Sequence, residues 1–282
     1  MAMIIEGFAV ETSDRLIFTV KGLQHPPSRV IAYLRYLPHP AGDRIRDGRR
    51  YRRVYHFDEQ QAILTADYPT YVADDPMFGL RLQSVPRDRI RTVYDPRTYP
   101  GRLCQRGAGD PLEEDALALL SWLHEGIRVP RAILGISGSL MLGLHRADSD
   151  LDLVVYGERA ARSIHRGLRQ ILRTTGGALR RPNDEELAAL HAEHRSDTPL
   201  PFELFARLQT RKVNELRFRG RETFIRFVKL PGDTEERYGD FRFEPLQFHH
   251  GQVADAAEHV FGVPDVGDPA AHTRGEAAAC GA

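Results

Sequence analysis

The side chains with the clearest chemical potential lie between residues 135 and 157, which read GISGSLMLGLHRADSDLDLVVYG. Asp150 and Asp152 open an apolar run there and are separated by a single leucine. On a strand, residues i and i+2 point to the same face, so we expect these two carboxylates to project together. Because adjacent carboxylates repel each other, sharing a divalent cation is the simplest way to keep both ionised.

A turn upstream of the acidic pair adds a second chemical feature. Gly138 and Ser139 follow a short apolar run, and a Gly-Ser turn offers backbone N–H groups and a hydroxyl to a phosphate. Ser149 directly precedes the acidic pair, where it is expected either to contact phosphate or to turn the chain. A phosphate cradle beside an acidic pair is typical of metal-assisted phosphoryl or nucleotidyl transfer.

A Gly-Ser pair followed by Asp-x-Asp within an apolar strand, here SDLDLVV, resembles the DNA-polymerase-β-like nucleotidyltransferase superfamily. The resemblance covers residues 112–230 and is closest to prokaryotic members with an extra N-terminal domain. It implies a mixed sheet flanked by helices. It also implies Mg²⁺ or Mn²⁺ held by Asp150 and Asp152, with Gly138 and Ser139 contacting nucleotide phosphates. The reaction implied is transfer of a nucleoside monophosphate from an NTP to a hydroxyl acceptor.

The same resemblance implies a third carboxylate on a later strand, and here the match is incomplete. Arg226 occupies the polar position with apolar neighbours in the strand predicted at residues 221–228. Glu222 shares a face with Arg226, so we predict it as the third catalytic acid. Glu203 is the alternative, although Pro199 and Pro201 disfavour a strand there. Arg226 is expected to pair with the aspartates or to contact the nucleotide.

The arginine-rich segment at residues 44–53 is a second candidate surface. Tyr51 lies within it and Tyr55 close after it, and arginines beside exposed aromatic rings suit phosphate contacts and base stacking. We therefore predict an RNA or DNA acceptor at this segment, with an ordinary surface hairpin as the alternative. The predicted nucleic-acid-binding residues are Arg49, Arg50, Arg52 and Arg53.

The composition is that of an ordinary soluble globular protein. Of 282 residues, 41% are hydrophobic and 28% charged, and the formal net charge at pH 7 is zero. A general basic field for nucleic acid is thereby excluded, although local patches are not. Two cysteines, Cys104 and Cys280, exclude a disulfide framework. Neither a signal-peptide pattern nor a membrane-length apolar run is visible, so a cytoplasmic location is expected.

The hydrophobic pattern predicts an α+β protein in three segments. Residues 1–108 form a β-rich domain, residues 109–250 a nucleotidyltransferase-like catalytic domain, and residues 251–282 a largely mobile tail. In the first segment we predict two strands within residues 4–20, further strands at 29–37 and 50–57, a helix at 58–66 capped by Asp58, and an irregular wrap at 68–101.

The second segment is predicted to begin with a helix, because Asp110-Pro111 is a strong N-terminal signal and Gly126 is a candidate stop. The further predicted helices span residues 139–145, 158–173 and 184–194. The predicted strands span residues 132–136, 150–156 and 221–228.

Three functions remain open from the sequence. The first is a metal-dependent nucleotidyltransferase with an unknown hydroxyl acceptor. The second is a nucleotide- or nucleic-acid-binding module that keeps the fold but catalyses weakly or not at all, because the third carboxylate is in doubt. The third is an enzyme that nucleotidylates a small molecule, for which the arginine-rich segment would be irrelevant. His191 and His194 are expected only to form a solvated helix face.

Overall fold

The structure, a computed structural model, describes residues 3–173, 177–194 and 200–243, except the side chains of 193 and 194. The described residues contain both helices and mostly antiparallel strands, so the predicted α+β class is confirmed. They belong to one compact unit, in which the two sheets share a core. The predicted tail at 251–282 lies outside the described residues. None of the described helices combines the length and apolar character needed to cross a bilayer.

The N-terminal part of the chain forms an antiparallel sheet. Its strands are β1 (Ala9–Thr12), β2 (Ile17–Val20), β3 (Arg29–Pro38), β4 (Arg44–Arg46), β5 (Arg49–Arg53), β6 (Val72–Asp75), β7 (Leu80–Pro86) and β8 (Ile90–Tyr94). They are arranged in the order β4-β5-β3-β2-β1-β8, while β7 also pairs with β3 and β6 pairs with β7. Two helices belong to this part, α1 (Phe57–Asp67) and α2 (Tyr99–Arg106).

Several sequence predictions for this sheet are confirmed. Strands β1, β2 and β3 lie where alternation predicted them, and Leu16, Phe18 and Val20 share the buried face. Residues 68–101, predicted as an irregular wrap with short helical turns, do contain such turns at Pro69–Tyr71 and Arg87–Arg89, but the irregular part is wrong, since β6, β7 and β8 also lie there. Proline and aspartate interrupt this stretch and β6 has only four residues, so the order of these strands comes from ladder hydrogen bonds that local propensity does not reveal.

Smaller corrections concern the hairpin and the first helix. The connection between the strands predicted at 29–37 and 50–57 contains β4, and the second of these strands ends at Arg53. Asp58 is not the cap of α1, because His56 occupies that position without a side-chain cap.

The remaining elements build a second, mixed sheet flanked by helices. In chain order they are α3 (Pro111–Ile127), β9 (Leu134–Ile136), α4 (Gly138–Met141), β10 (Leu151–Tyr156), α5 (Glu158–Ile171), β11 (Leu179–Arg180), α6 (Asp184–His194), α7 (Phe202–Gln209), β12 (Glu215–Phe218) and β13 (Arg221–Val228). The strand order is β11-β12-β13-β10-β9, and β10 runs parallel to β13. Sequence patterning located α3, α5, α6, β10 and β13 within a few residues.

The start of α3 follows the predicted capping chemistry. Asp110 is extended, and its carboxylate accepts hydrogen bonds from the N–H groups of Leu112 and Glu113 at 2.9 and 3.0 Å. Proline at the first helical position needs no N–H partner there. The helix continues past Gly126 to Ile127, and Arg128 ends it with a left-handed φ of 58°.

The helix predicted at residues 139–145 is wrong in length, since α4 contains only four residues. Gly143 adopts a φ of +64°, which turns the chain out of the helix. The N–H of Gly143 donates a hydrogen bond to the carbonyl of Leu140, and the N–H of Leu144 donates one to the carbonyl of Ser139. So short a helix supplies little macrodipole, and any phosphate contact would depend on individual N–H groups.

The second sheet has two faces with different partners. Leu151, Leu153 and Val155 point into the core formed with α3 and α5, as the alternation predicted. Val154 and Tyr156 point the other way and pack into the core of the N-terminal sheet. Asp150 and Asp152 share this second face, so they lie where the two sheets meet.

Candidate metal and phosphate site

The acidic pair lies at the beginning of β10, beside two neighbouring strands. Asp152 is level with Phe224 on the parallel strand β13, and Asp150 directly precedes Leu151, which is level with Thr223. On the other side, the N–H of Ser137 donates to the carbonyl of Asp152 at 2.8 Å. The pair is therefore held by a sheet rather than by a loop.

Gly138 lies directly against Asp152. A Cβ atom added at Gly138 would lie 2.0 Å from Asp152 Oδ2 and 3.0 Å from its Cβ. The glycine also has a φ of +64°, a conformation that side chains with a Cβ rarely adopt. The predicted Gly-Ser turn and acidic pair are thus brought together, and glycine is required on both steric and conformational grounds.

The carboxylates of Asp150 and Asp152 form neither a hydrogen bond nor an ion pair with any residue in the described ranges. Burial, followed by the negative charge of Asp150, raises the pKa of Asp152 to about 6, against the opposing charges of Arg226, Arg35 and Arg53. Hard oxygen donors with uncompensated negative charge are the ligands that Mg²⁺ prefers, so these two residues fit a divalent cation.

Glu222, predicted as the third acid, is engaged elsewhere. Its carboxylate accepts a hydrogen bond at 2.7 Å from Arg217, its cross-strand neighbour on β12. In the described part of the chain, Asp150 and Asp152 form no three-ligand set with another His, Cys, Asp or Glu whose atoms all lie within 4.8 Å. Glu203, the alternative, lies in the first turn of helix α7.

Arg226 lies on the same face of the sheet, but its hydrogen bond goes to the N-terminal segment. Its Nη1 donates to Glu6 at 2.8 Å, and its guanidinium lies 5.2 Å from the ring centre of Phe224. No ion pair joins it to either aspartate within the described ranges, although its charge acts on Asp152. It contributes positive potential at the site and ties the two sheets together.

The two serines predicted to contact phosphate differ in their surroundings. Ser139 is buried within α4, and its hydroxyl forms no hydrogen bond with the described residues. Ser149 is also buried, and its hydroxyl accepts from the N–H of Arg146 at 2.9 Å and from Arg44 Nη1 at 3.4 Å. In this conformation Ser149 shapes the loop before β10, which is the second of the two roles that the sequence suggested.

The arginine-rich segment divides into residues that hold the protein together and residues that face solvent. Arg52 pairs with Glu59, while Arg53 lies over the ring of Tyr55 at 4.0 Å. Arg49 and Arg50 are exposed, and Arg50 donates to the carbonyl of Gly42. The hairpin thus offers the predicted nucleic-acid surface mainly through Arg49 and Arg50, while Arg53 is half-buried.

The first two arginines of the segment hold the loop between α4 and β10. Arg44 Nη1 donates to the carbonyl of Leu144 at 3.0 Å, and Arg46 Nη1 to that of Leu142 at 3.2 Å. Arg46 also forms an ion pair with buried Glu11 at 2.7 Å. We name these two residues the hairpin clasp. It positions the loop that leads into the acidic strand.

Sequence reasoning missed Arg35, whose positive charge acts on Asp152. Arg35 belongs to β3, and its guanidinium lies 4.4 Å from the ring centre of Tyr55. One signal was available, since Arg35 interrupts the otherwise apolar and aromatic run from residue 30 to 37. A charged side chain in such a run indicates either an edge or a site.

A second acidic cluster was also missed, formed by Asp110, Glu113 and His145, whose candidate ligand atoms lie within 4.8 Å of one another. We call it the paired cluster, because its oxygens already have donors. His145 Nε2 lies 2.8 Å from Asp110, and Glu113 accepts from Tyr99, Arg106 and the N–H of Gly109. Its contacts indicate a structural role, in which it holds α2, α3 and the loop after α4 together.

A surface cavity of about 550 Å³ opens near the start of β13. Its lining includes Glu222 but neither Asp150 nor Asp152, and the other lining residues are Asp148, Arg217, Arg219, Gly220 and Arg221. Arg219 pairs with Asp115, and Arg221 donates to the carbonyls of Ala147 and Ser149. These arginines therefore already have protein partners.

Comparison with known proteins adds one relative without a described function. The uncharacterized protein MJ1086 of Methanocaldococcus jannaschii is 24% identical over 247 residues, which cover 85% of this chain and 72% of the relative. No protein-family profile matches the chain, and no solved structure is significantly similar to it.

Proposed function

We propose that the chain is a divalent-metal-dependent nucleotidyltransferase that moves a nucleoside monophosphate from an NTP to a hydroxyl acceptor. The observation that carries the proposal is the partnerless carboxylate pair of Asp150 and Asp152 against Gly138. The mixed sheet and the resemblance of the Gly-Ser and Asp-x-Asp motifs support a nucleotidyltransferase-type fold.

Each residue has a role that follows from its position. Asp150 and Asp152 would hold Mg²⁺ or Mn²⁺, which when bound neutralises phosphate charge and favours ionisation of the attacking hydroxyl. Gly138 lets the Asp152 carboxylate lie close to the backbone because it has no side chain. Arg226 adds positive charge on the same face of the sheet. In this proposal a nucleic-acid acceptor binds at the exposed Arg49 and Arg50.

A second candidate is favoured by the position of Glu222. Because Arg217 engages this side chain, the described residues supply two carboxylates rather than three. A protein with this arrangement would bind a metal–nucleotide complex but transfer its nucleotide slowly or not at all. The chain would then act as a nucleotide- or nucleic-acid-binding module.

Thermal unfolding in the presence of each NTP, with and without Mg²⁺ or Mn²⁺, tests the shared part of both candidates. A ligand at roughly 100 times its Kd adds about 2.7 kcal/mol of stability, which raises the Tm by several degrees. We expect a metal-dependent rise in wild type and none in Asp150→Ala. Asp148→Ala is the matched control, because Asp148 is an exposed acid of the same loop.

Release of labelled pyrophosphate from an NTP labelled at the γ-phosphate then separates the two candidates. Metal-dependent release that Asp150→Ala abolishes supports the enzyme. A nucleotide-induced Tm rise without release over any acceptor tested supports the binding module. No Tm rise with any NTP and metal would contradict the enzyme and the nucleotide-binding form of the second candidate, and would leave nucleic-acid binding by the arginine-rich segment as the form to test.

A further inference from the structure

The N-terminal sheet contributes two arginines that lack acidic partners. Arg35 on β3 and Arg53 on β5 are half-buried, and no ion pair involves either within the described residues. The Nε of Arg53 is buried without a hydrogen-bond partner. Arg44, Arg46 and Arg52, by contrast, each have a carboxylate partner. Arg35 and Arg53 are therefore the two half-buried arginines beside Tyr55 for which the described residues supply no carboxylate.

The pair is held in place by an exposed aromatic ring. The guanidinium groups of Arg35 and Arg53 lie 4.4 and 4.0 Å from the ring centre of Tyr55, which is 54% exposed. Two positive charges over one ring repel each other, and cation–π attraction offsets only part of that repulsion. An anion bound between them would remove the repulsion.

The location of the pair connects it with the acidic site. Tyr36, which follows Arg35 and is level with Arg53 in the sheet, packs in one cluster with Met141 and Leu144 after Gly138. The charges of both arginines act on Asp152. Positive and negative groups thus face the same region from the two sheets without forming an ion pair.

A ligand that carries both a divalent cation and phosphate oxygens would satisfy both sets of groups at once. Planar guanidinium groups match phosphate oxygens through paired hydrogen bonds. Half-buried arginines favour a compact terminal phosphate over an extended nucleic-acid backbone, which would suit the exposed Arg49 and Arg50.

We propose that Arg35 and Arg53 bind the pyrophosphate portion of the nucleotide whose cation is held by Asp150 and Asp152. This inference rests on the function proposed above and assigns a nucleotide-binding role to the N-terminal sheet. Tyr55 acts as a positioning residue, because its ring orients the two guanidinium groups.

Calorimetric titration with inorganic pyrophosphate in EDTA tests the proposal without metal or nucleotide. We expect wild type to bind, and Arg35→Gln and Arg53→Gln each to bind roughly ten-fold more weakly. Arg81→Gln is the matched control, since Arg81 is an exposed arginine on β7 of the same sheet, and its affinity should equal that of wild type. No binding to wild type, or equal binding by all variants, would overturn the proposal.

Further variants keep the test decisive. If thermal unfolding shows that Arg35→Gln does not fold, the pyrophosphate affinities of Arg53→Gln and Arg35→Lys decide the outcome. We expect the affinity of Arg35→Lys to lie between those of wild type and Arg53→Gln. A single-stranded oligonucleotide is titrated in parallel. Loss of oligonucleotide binding with unchanged pyrophosphate binding would overturn the proposal in favour of a nucleic-acid contact.

The same titration separates this proposal from the proposed function. Asp150→Ala should bind pyrophosphate in EDTA at least as tightly as wild type, because a repelling charge is removed. Failure of the metal-dependent Tm rise with intact pyrophosphate binding would count against the acidic site alone. An intact metal-dependent rise with no effect of the arginine variants on pyrophosphate would count against the arginine pair alone.

Discussion

The paired cluster of Asp110, Glu113 and His145 and the acidic pair of Asp150 and Asp152 lie on either side of the same loop, yet they are opposite in character. The paired cluster has three candidate metal ligands within 4.8 Å, but donors from side chains and backbone already occupy its oxygens. The acidic pair has fewer ligands and no protein donor within the described ranges. This difference is the reason why we propose the ligand site at the acidic pair, although the paired cluster contains more candidate ligands.

The pKa shifts of Glu113 in the paired cluster and Asp152 in the acidic pair have opposite signs. Burial alone would raise the pKa of Glu113, but hydrogen bonds from Arg106, Gly109 and Tyr99 lower it below its usual range. At Asp152 burial and the charge of Asp150 raise the pKa. The protein therefore stabilises the charge of Glu113 and destabilises that of Asp152.

The largest effect that we predict comes from Gly138→Ala. The new Cβ would lie 2.0 Å from Asp152 Oδ2 on a backbone with a φ of +64°. We expect the free energy of unfolding in urea to fall by roughly 3 kcal/mol or more, from strain and clash together. Metal-dependent nucleotide binding should be lost as Asp152 moves.

Gly143→Ala is the control for Gly138→Ala. Gly143 has the same φ of +64°, but its nearest contact to an added Cβ is Arg46 Cδ at 3.7 Å. This variant should lose only about 1 kcal/mol, from backbone strain. Equal losses at both glycines would show that the contact with Asp152 is unimportant for stability.

The second prediction concerns the paired cluster. Glu113→Gln removes a buried charge that Arg106 and Tyr99 engage, so we expect a loss of about 2 kcal/mol at pH 7. Because the folded-state pKa of Glu113 is lowered, its stabilisation is fully present above the unfolded pKa of about 4.3 and disappears as the pH falls through the folded pKa.

Urea unfolding of Glu113→Gln at several pH values checks both parts of this prediction. Its difference from wild type should shrink below about pH 4, where the unfolded carboxyl is protonated. The Tm rise with Mg²⁺ and NTP should persist in this variant. Loss of that rise in a folded Glu113→Gln would place the metal in the paired cluster and reverse the comparison.

The smallest predicted effect has the opposite sign. Asp152→Asn removes a charge that the folded state destabilises, so at pH 7.5 in EDTA we expect a gain of roughly 1 kcal/mol. Thermal unfolding should show a higher Tm than wild type without metal, and no further rise with Mg²⁺ and NTP. A destabilised Asp152→Asn would show that the carboxylate has a stabilising partner in the metal-free protein.

Local sequence patterns predicted the elements that have strong local signals. Strand β10 was recognisable because its apolar residues alternate with the aspartates, and α3 because Asp110-Pro111 supplies both a cap and a favoured first residue. Strands β6 and β7 were missed because their polar sequences acquire order only through pairing with each other and with β3. α4 was overextended because a short apolar run does not reveal the turn at Gly143.

The candidate site was predictable only where its members are close in sequence. Gly138, Asp150 and Asp152 lie within one short segment, and the structure brings Gly138 and Asp152 into contact. Arg35 acts on Asp152 from more than a hundred residues away, which requires the packing of two sheets. The pairing of Glu222 with Arg217 depends on the β12–β13 register, which periodicity alone does not fix.

The hairpin clasp reaches the loop before the acidic strand through main-chain oxygens, those of Leu142 and Leu144. Every residue type carries the same main-chain carbonyl, so these hydrogen bonds do not depend on the side chains of the loop. Residues 146–148, whose side chains are exposed, can therefore be exchanged over evolution while the path of the chain into β10 stays the same. A scaffold with this property can vary the surface of the loop without rebuilding the strand that carries the aspartates.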